Sequence, residues 1–131
     1  MSEIVGKIEI AKKKNVTGEA VRLWIVRGII TKPTYPSVNG GPAWEWPEVE
    51  AQLRGERPVP TPLADPVGAH EIAGLLGVAV RTVHNWKSST KVLPDPGYVS
   101  INGFHAWERG SIIDWANATG RGKRLPAEYA S

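Results

Sequence analysis

The sequence predicts a mainly α fold with small β hairpins, an α+β class built twice in tandem. Three observations carry this expectation. First, Val5-Gly6, Glu9-Ile10-Ala11, Val16, Val21 and Trp24 return 62 positions later as Val67-Gly68, Glu71-Ile72-Ala73, Val78, Val83 and Trp86. Second, at a spacing of 63, Val38-Asn39-Gly40 and Ala43-Trp44-Glu45 are answered by Ile101-Asn102-Gly103 and Ala106-Trp107-Glu108, so the second copy is one residue longer between helix and hairpin. Third, each copy runs from helical spacing through a Pro-punctuated stretch to an Asn-Gly turn signal. A period near 60 residues is too long for one solenoid unit, so each copy reads as a small domain.

The elements follow in order. In the second copy Ile72, Ala73, Leu75 and Leu76 form the inner stripe of a short helix, and Gly77 stops it in the left-handed conformation. Val78 and Ala79 make a corner, and a second helix follows from Arg81 to Lys87 with Val83 and Trp86 inward. In the first copy Ile8, Ile10 and Ala11 face inward, Asn15 takes the left-handed position, and Thr17 caps a second helix presenting Val21, Trp24 and Ile25. Ala79, at the place equivalent to Thr17, cannot cap. Pro33 and Pro36, then Pro94 and Pro96, mark extended connections. Asn39-Gly40 and Asn102-Gly103 are two-residue hairpin turns, because the turn that suits strand twist needs positive φ at both positions. A third helix starts near Pro47 in one copy and near Ser111, as its cap, in the other. Val49 and Leu53, and Ile112, Ile113, Trp115 and Ala116, close the two cores.

The expected domains are residues 1–55 and 67–120, joined by a Pro-rich linker over 56–66 and followed by a basic tail over 121–131. At roughly 3.1 Å per residue the linker would span about 34 Å if extended, close to one turn of B-DNA.

Two domains of 55 to 60 residues lie near the lower limit for a self-sufficient core, so large rings must supply much of the buried area. Six Trp beside one Phe and one Met fit that need. Their repeat positions place Trp24, Trp44, Trp86, Trp107 and Trp115 inward rather than on a base-stacking surface; Trp46 has no counterpart. With no Cys there are no disulfides or thiolate metal sites, and three scattered His make no zinc centre. No cofactor and no metal are expected. No apolar run reaches membrane-span length and the amino terminus lacks a signal-peptide pattern, so no membrane partner is expected and the location is taken as cytoplasmic. Net charge is +3 with pI near 9.3, and the basic residues cluster at Lys12-Lys13-Lys14 and at Arg121, Lys123 and Arg124. Such a balance suits nucleic acid without requiring it.

Glu71-Ile72-Ala73, Gly77-Val78, Thr82-Val83, Trp86, Leu93-Pro94, Pro96, Asn102-Gly103, Trp107, Ile112 and Trp115 together resemble the winged helix-turn-helix domains of excisionase and MerR-type DNA-binding proteins. The resemblance covers residues 67 to about 122, and residues 5 to 54 fit the same template less closely, with Asn15 where the turn usually has Gly and Gly18 inside the second helix. It implies two tandem winged helix-turn-helix domains, each with its second helix in the major groove and a wing over adjacent backbone.

On that reading Arg81, Thr82, His84, Asn85, Lys87 and Ser88 face DNA in the second copy. Arg forks to guanine and Asn pairs with adenine, while His and Ser donate or accept. Thr17, Glu19, Arg22, Leu23 and Arg27 are the first copy's set, where Glu19 accepts from cytosine and Leu23 meets a thymine methyl. Asn102 and His105 on the second wing, and Arg121, Lys123 and Arg124 in the tail, touch backbone. The same residues would equally serve as solvated helix faces, and the lysine cluster as favourable charge at a helix carboxyl end.

No Gly-rich phosphate loop, nucleophile elbow or anchored acid pair is present, so no enzymatic activity is expected. The expected function is duplex DNA binding by a transcriptional regulator or recombination directionality factor, associated with the nucleoid and monomeric in solution. A packaging adaptor resembling a small viral terminase subunit remains open, as does one DNA-binding domain paired with one protein-interaction domain. A recombinase, polymerase or packaging component would then be the protein partner.

Overall fold

The computed structural model describes residues 3–129. Among them are six α-helices and two three-stranded antiparallel sheets, an α+β architecture. No helix of the described residues is long and apolar enough to cross a membrane. The chain divides into two compact units, one of residues 1–64 with the segment 100–104, the other of residues 65–99 and 105–131.

In the first unit the elements are β1 (Ile4–Val5), α1 (Lys7–Lys14), α2 (Gly18–Val26), β2 (Tyr35–Val38), β3 (Gly41–Glu45) and α3 (Trp46–Leu53). Three residues separate α1 from α2, and Asn15 holds the left-handed conformation there with φ 53°. Thr17 caps α2 by accepting from the Ala20 N–H at 3.1 Å. The sheet order is β1-β3-β2, with Val5 opposite Trp44 and Tyr35 opposite Ala43. Sheet and helices close over Val5, Ile10, Val21, Ile30, Trp44 and Val49. Buried Gln52 is satisfied by Thr31, whose N–H it accepts at 3.2 Å and whose hydroxyl accepts from its amide at 2.8 Å.

The rest of the chain repeats the plan with β4 (Pro66–Val67), α4 (Ala69–Leu76), α5 (Val80–Ser88), β5 (Tyr98–Ile101), β6 (Phe104–Glu108) and α6 (Arg109–Ala118), in sheet order β4-β6-β5; the hairpin tip over 100–104, which ends β5 and starts β6, belongs to the first unit. Gly77 ends α4 at φ 67°, and Ala79 precedes α5 without any side-chain cap. Its core is Val67, Ile72, Ala73, Leu76, Val83, Trp107, Ile112, Ala116 and Leu125. Both Asn-Gly pairs have positive φ throughout, 55° and 81° at Asn39-Gly40 and 55° and 89° at Asn102-Gly103.

Four features depart from the sequence expectations. Each sheet gains a two-residue strand ahead of its first helix, because Val5 and Val67 pair with the Trp44 and Trp107 positions and are fully buried there. The third helices begin at Trp46 and Arg109, so the cap residues are Glu45 and Glu108 rather than Ser111. Neither glutamate caps through its side chain; each carboxylate instead accepts from a tyrosine hydroxyl, Tyr35 or Tyr98, which ties the strand end to its neighbour. Ile8, expected inward, is 47% exposed, because the inner stripe of α1 passes through Ile10 and the half-buried Ala11. Finally, the linker does not run free: Thr61 N–H donates to Glu48 at 2.9 Å, and Leu63 and Ala64 N–H groups donate to the Tyr35 hydroxyl at 3.2 Å.

Candidate nucleic-acid interface

In the second unit the turn from Gly77 to Ala79 sets the direction of α5, and burial of Val83 at 1% exposure fixes its rotation. One helical face then projects outward with Arg81, His84, Asn85 and Ser88 exposed, and Lys87 exposed beside them in the last turn. Thr82 lies half-buried at the edge of that face. The Ser88 hydroxyl donates back to the His84 carbonyl one turn earlier at 2.8 Å. Arg, His and Asn on one exposed face combine a planar fork, an imidazole ring and an amide, groups whose donors and acceptors match base edges.

In the first unit Val21 is the buried anchor of α2, and Glu19, Arg22 and Arg27 are exposed with Leu23 half-buried. Arg22 donates to Glu19 twice, from Nε at 2.9 Å and from Nη2 at 2.5 Å. This bidentate bond holds the Glu19 carboxyl below its ordinary range and raises the Arg22 guanidinium above its own. The Thr17 hydroxyl is engaged in capping, so its acceptor is already committed to Ala20. Arg27 terminates the helix as its carboxyl cap. The lysine cluster is likewise in use: Lys13 pairs with Glu3, and the Lys13 and Lys14 ammoniums sit 5.0 and 5.8 Å from the Trp46 ring centroid.

No protein-family model, curated protein or solved structure matches the chain.

The remaining expected DNA contacts have structural work. The Asn102 amide donates to the Val38 and Pro42 carbonyls, both at 3.0 Å. Asn39 returns the arrangement, donating to the Ile101 carbonyl at 3.0 Å and to the Phe104 carbonyl at 3.2 Å. Between these turns lies Glu9, which accepts from the Ser100 hydroxyl and from the Gly6, Asn102 and Gly103 N–H groups at 2.7 to 3.0 Å. Burial works against its charge, but these four donors outweigh burial and hold the carboxyl below 4.5. Gly6 has to be glycine here, since a Cβ would collide with the Asn102 side chain.

The basic tail is also part of its unit over the described residues. The Arg121 guanidinium lies over the Trp86 and Trp115 rings, Arg124 donates to the Gly77 carbonyl at 3.0 Å, and Leu125 is 8% exposed in the core. Lys123, between the two arginines, is exposed, and Ala130 and Ser131 lie outside the described residues. His105, half-buried on β6, lines a cavity with Lys87 and Lys91. Sequence reasoning passed over Lys91, Glu9 and Asn39. The Asn39 amide had a signal, its alignment with Asn102, whereas nothing local marked Lys91.

Proposed function

We propose that the chain is a duplex DNA-binding protein made of two tandem winged helix-turn-helix modules, acting without catalysis or cofactor in transcriptional control or in organising a recombination site. In this reading α2 and α5 are recognition helices and each Asn-Gly hairpin is a wing. The observation that carries it is the outward face of α5, where Arg81, His84, Asn85 and Ser88 stand exposed opposite the fully buried Val83. A helix following a three-residue turn, with its apolar side sunk in a small core and its other side bearing base-matching groups, is the geometry that fits a major groove about 12 Å wide. The α2 face supports a second, different preference, because a Glu-Arg pair and a leucine replace Arg, His and Asn.

The lysines contribute less to this reading than their number suggests. Lys13 and Lys14 already have partners, as Arg22 has Glu19, so the phosphate-neutralising charge is carried by Lys12, Lys87, Lys123 and Arg81. Selection of bound sequences from a random duplex pool with the full chain is the direct test. Enrichment of a defined site supports base readout; recovery of unenriched pools with a steep salt dependence would reduce the function to backbone binding, and no recovery would remove it.

A further inference from the structure

The second unit contains a cavity of about 260 Å³ lined by Lys87, Lys91, Leu93, Pro94, Asp95, Pro96, His105 and Trp107. Its walls come from three places: the last turn of α5, the Pro-rich loop after it, and β6. The loop is fixed against the strand by the Trp107 indole, whose Nε1 donates to the Pro94 carbonyl at 2.8 Å. Lys91 is held at φ 54°, a left-handed conformation uncommon for residues other than glycine. The His105 ring is set edge-on to Trp107, with centroids 6.4 Å apart.

We propose that this cavity is a phosphate-binding pocket, with the Lys87 and Lys91 ammoniums and the His105 imidazole as the groups that receive the oxyanion. Two cations and one protonatable ring face a single acid, Asp95, so the lining carries excess positive potential that one phosphate would neutralise. The volume lies just below that of pockets for drug-sized ligands, which suits a phosphate group and its ester link rather than a whole nucleobase. Leu93, Pro94, Pro96 and Trp107 form an apolar floor, while the Lys87, Lys91 and Asp95 side chains stand at its open, solvent-exposed side. In the protein alone, burial and the nearby Lys87 charge hold the imidazole below its ordinary pKa, so His105 carries the neutral ring near neutral pH. A phosphate seated between the two reverses that balance.

The phosphate has two possible sources, the backbone of a bound duplex or a free phosphorylated small molecule. The first source rests on the DNA-binding reading; the pocket itself does not. The test titrates inorganic phosphate into the full chain while following the His105 ring by NMR, with sodium chloride at matched ionic strength as the reference. Saturable movement of the His105 signals and an upward shift of its titration midpoint, both lost in the Lys87→Gln/Lys91→Gln double variant, are expected. Dispersed spectra of that variant establish that it is folded. Movement no greater than with chloride, or unchanged in the double variant, overturns the proposal. For the source, the salt dependence of duplex binding is measured in parallel. Because Lys87 also borders the α5 face, the slope is compared in Lys91→Gln alone, and a slope lowered by about 0.9 there assigns the pocket to the duplex. An unchanged slope with phosphate binding abolished assigns it to a free phosphorylated ligand. If the wild-type chain fails to bind duplex but His105 still responds to phosphate, the pocket stands and the DNA reading falls.

Discussion

The Arg121 guanidinium lies 5.1 Å from the centroid of the Trp115 ring, and 5.3 Å from that of Trp86. The two indoles meet edge to face at 5.5 Å, so one cation closes over a ring pair joining α5 to α6. Arg121→Ala should therefore destabilise the second unit by about 0.5–2 kcal/mol. Chemical denaturation reads this directly. If the residue served only a phosphate, stability would hold and the salt slope of duplex binding would fall instead.

Arg81→Ala and Asn85→Ala should each weaken the preferred site by about 1–3 kcal/mol while leaving the thermal transition in place, since both side chains are exposed. Competition against sites altered at single base pairs is the discriminating measurement. Wild-type discrimination in both variants would take base readout away from α5. Trp86→Ala acts on the other side of the same helix, where the ring is half-buried against the core, and should cost about 1.5–3 kcal/mol of stability, less than removal of a fully buried ring.

Glu19→Gln should release Arg22 from its bidentate bond without measurable loss of stability, because the pair is exposed and screened. Its effect should appear in which base pair α2 prefers. Selection with this variant that returns the wild-type site unchanged would show that α2 reads no base through these two residues.

Glu9 gives the chain an acid-sensitive joint. Its carboxyl pKa is lowered in the fold, so the unfolded state binds more protons as pH drops, and the stabilisation present above 4.5 is lost as pH falls through the folded value. Glu9→Gln should lower stability at neutral pH and flatten the acid limb of a stability-pH profile. Parallel profiles for the two proteins would show that the four donors do not favour the charged form.

The preferred site should not be palindromic. Arg81, His84 and Asn85 in one helix stand where the other has Glu19, Arg22 and Leu23, so two half-sites bound by one chain would differ in sequence. Footprinting at one equivalent of protein checks this, and a symmetric footprint needing two chains would favour a dimer.

What the sequence made legible was set by short-range rules. Thr17, Asn15, Gly77 and the Asn-Gly turns each act within a few residues, and each takes the conformation its chemistry requires. The buried stripe through Ile72, Leu76 and Val83 follows from helical spacing. Two-residue strands such as Ile4–Val5 carry no periodicity, and their pairing with β3 depends on residues about forty positions away. The same holds for the candidate interface. Outward-facing side chains on α5 followed from the inward ones, but nothing local told that Asn102 and Arg121 would be taken up by two carbonyls and a ring pair.

The two Asn-Gly turns bear on how the protein ages. Asparagine followed by glycine is prone to lose its amide nitrogen when the side-chain carbonyl swings onto the next backbone nitrogen. In the folded chain the Asn39 and Asn102 amides are each tethered to two carbonyls, which keeps the side chain from that path. Damage should then accumulate in the unfolded fraction, and a one-dalton mass gain at these positions, slow in buffer and fast in denaturant, would record how long a molecule has spent out of its native state.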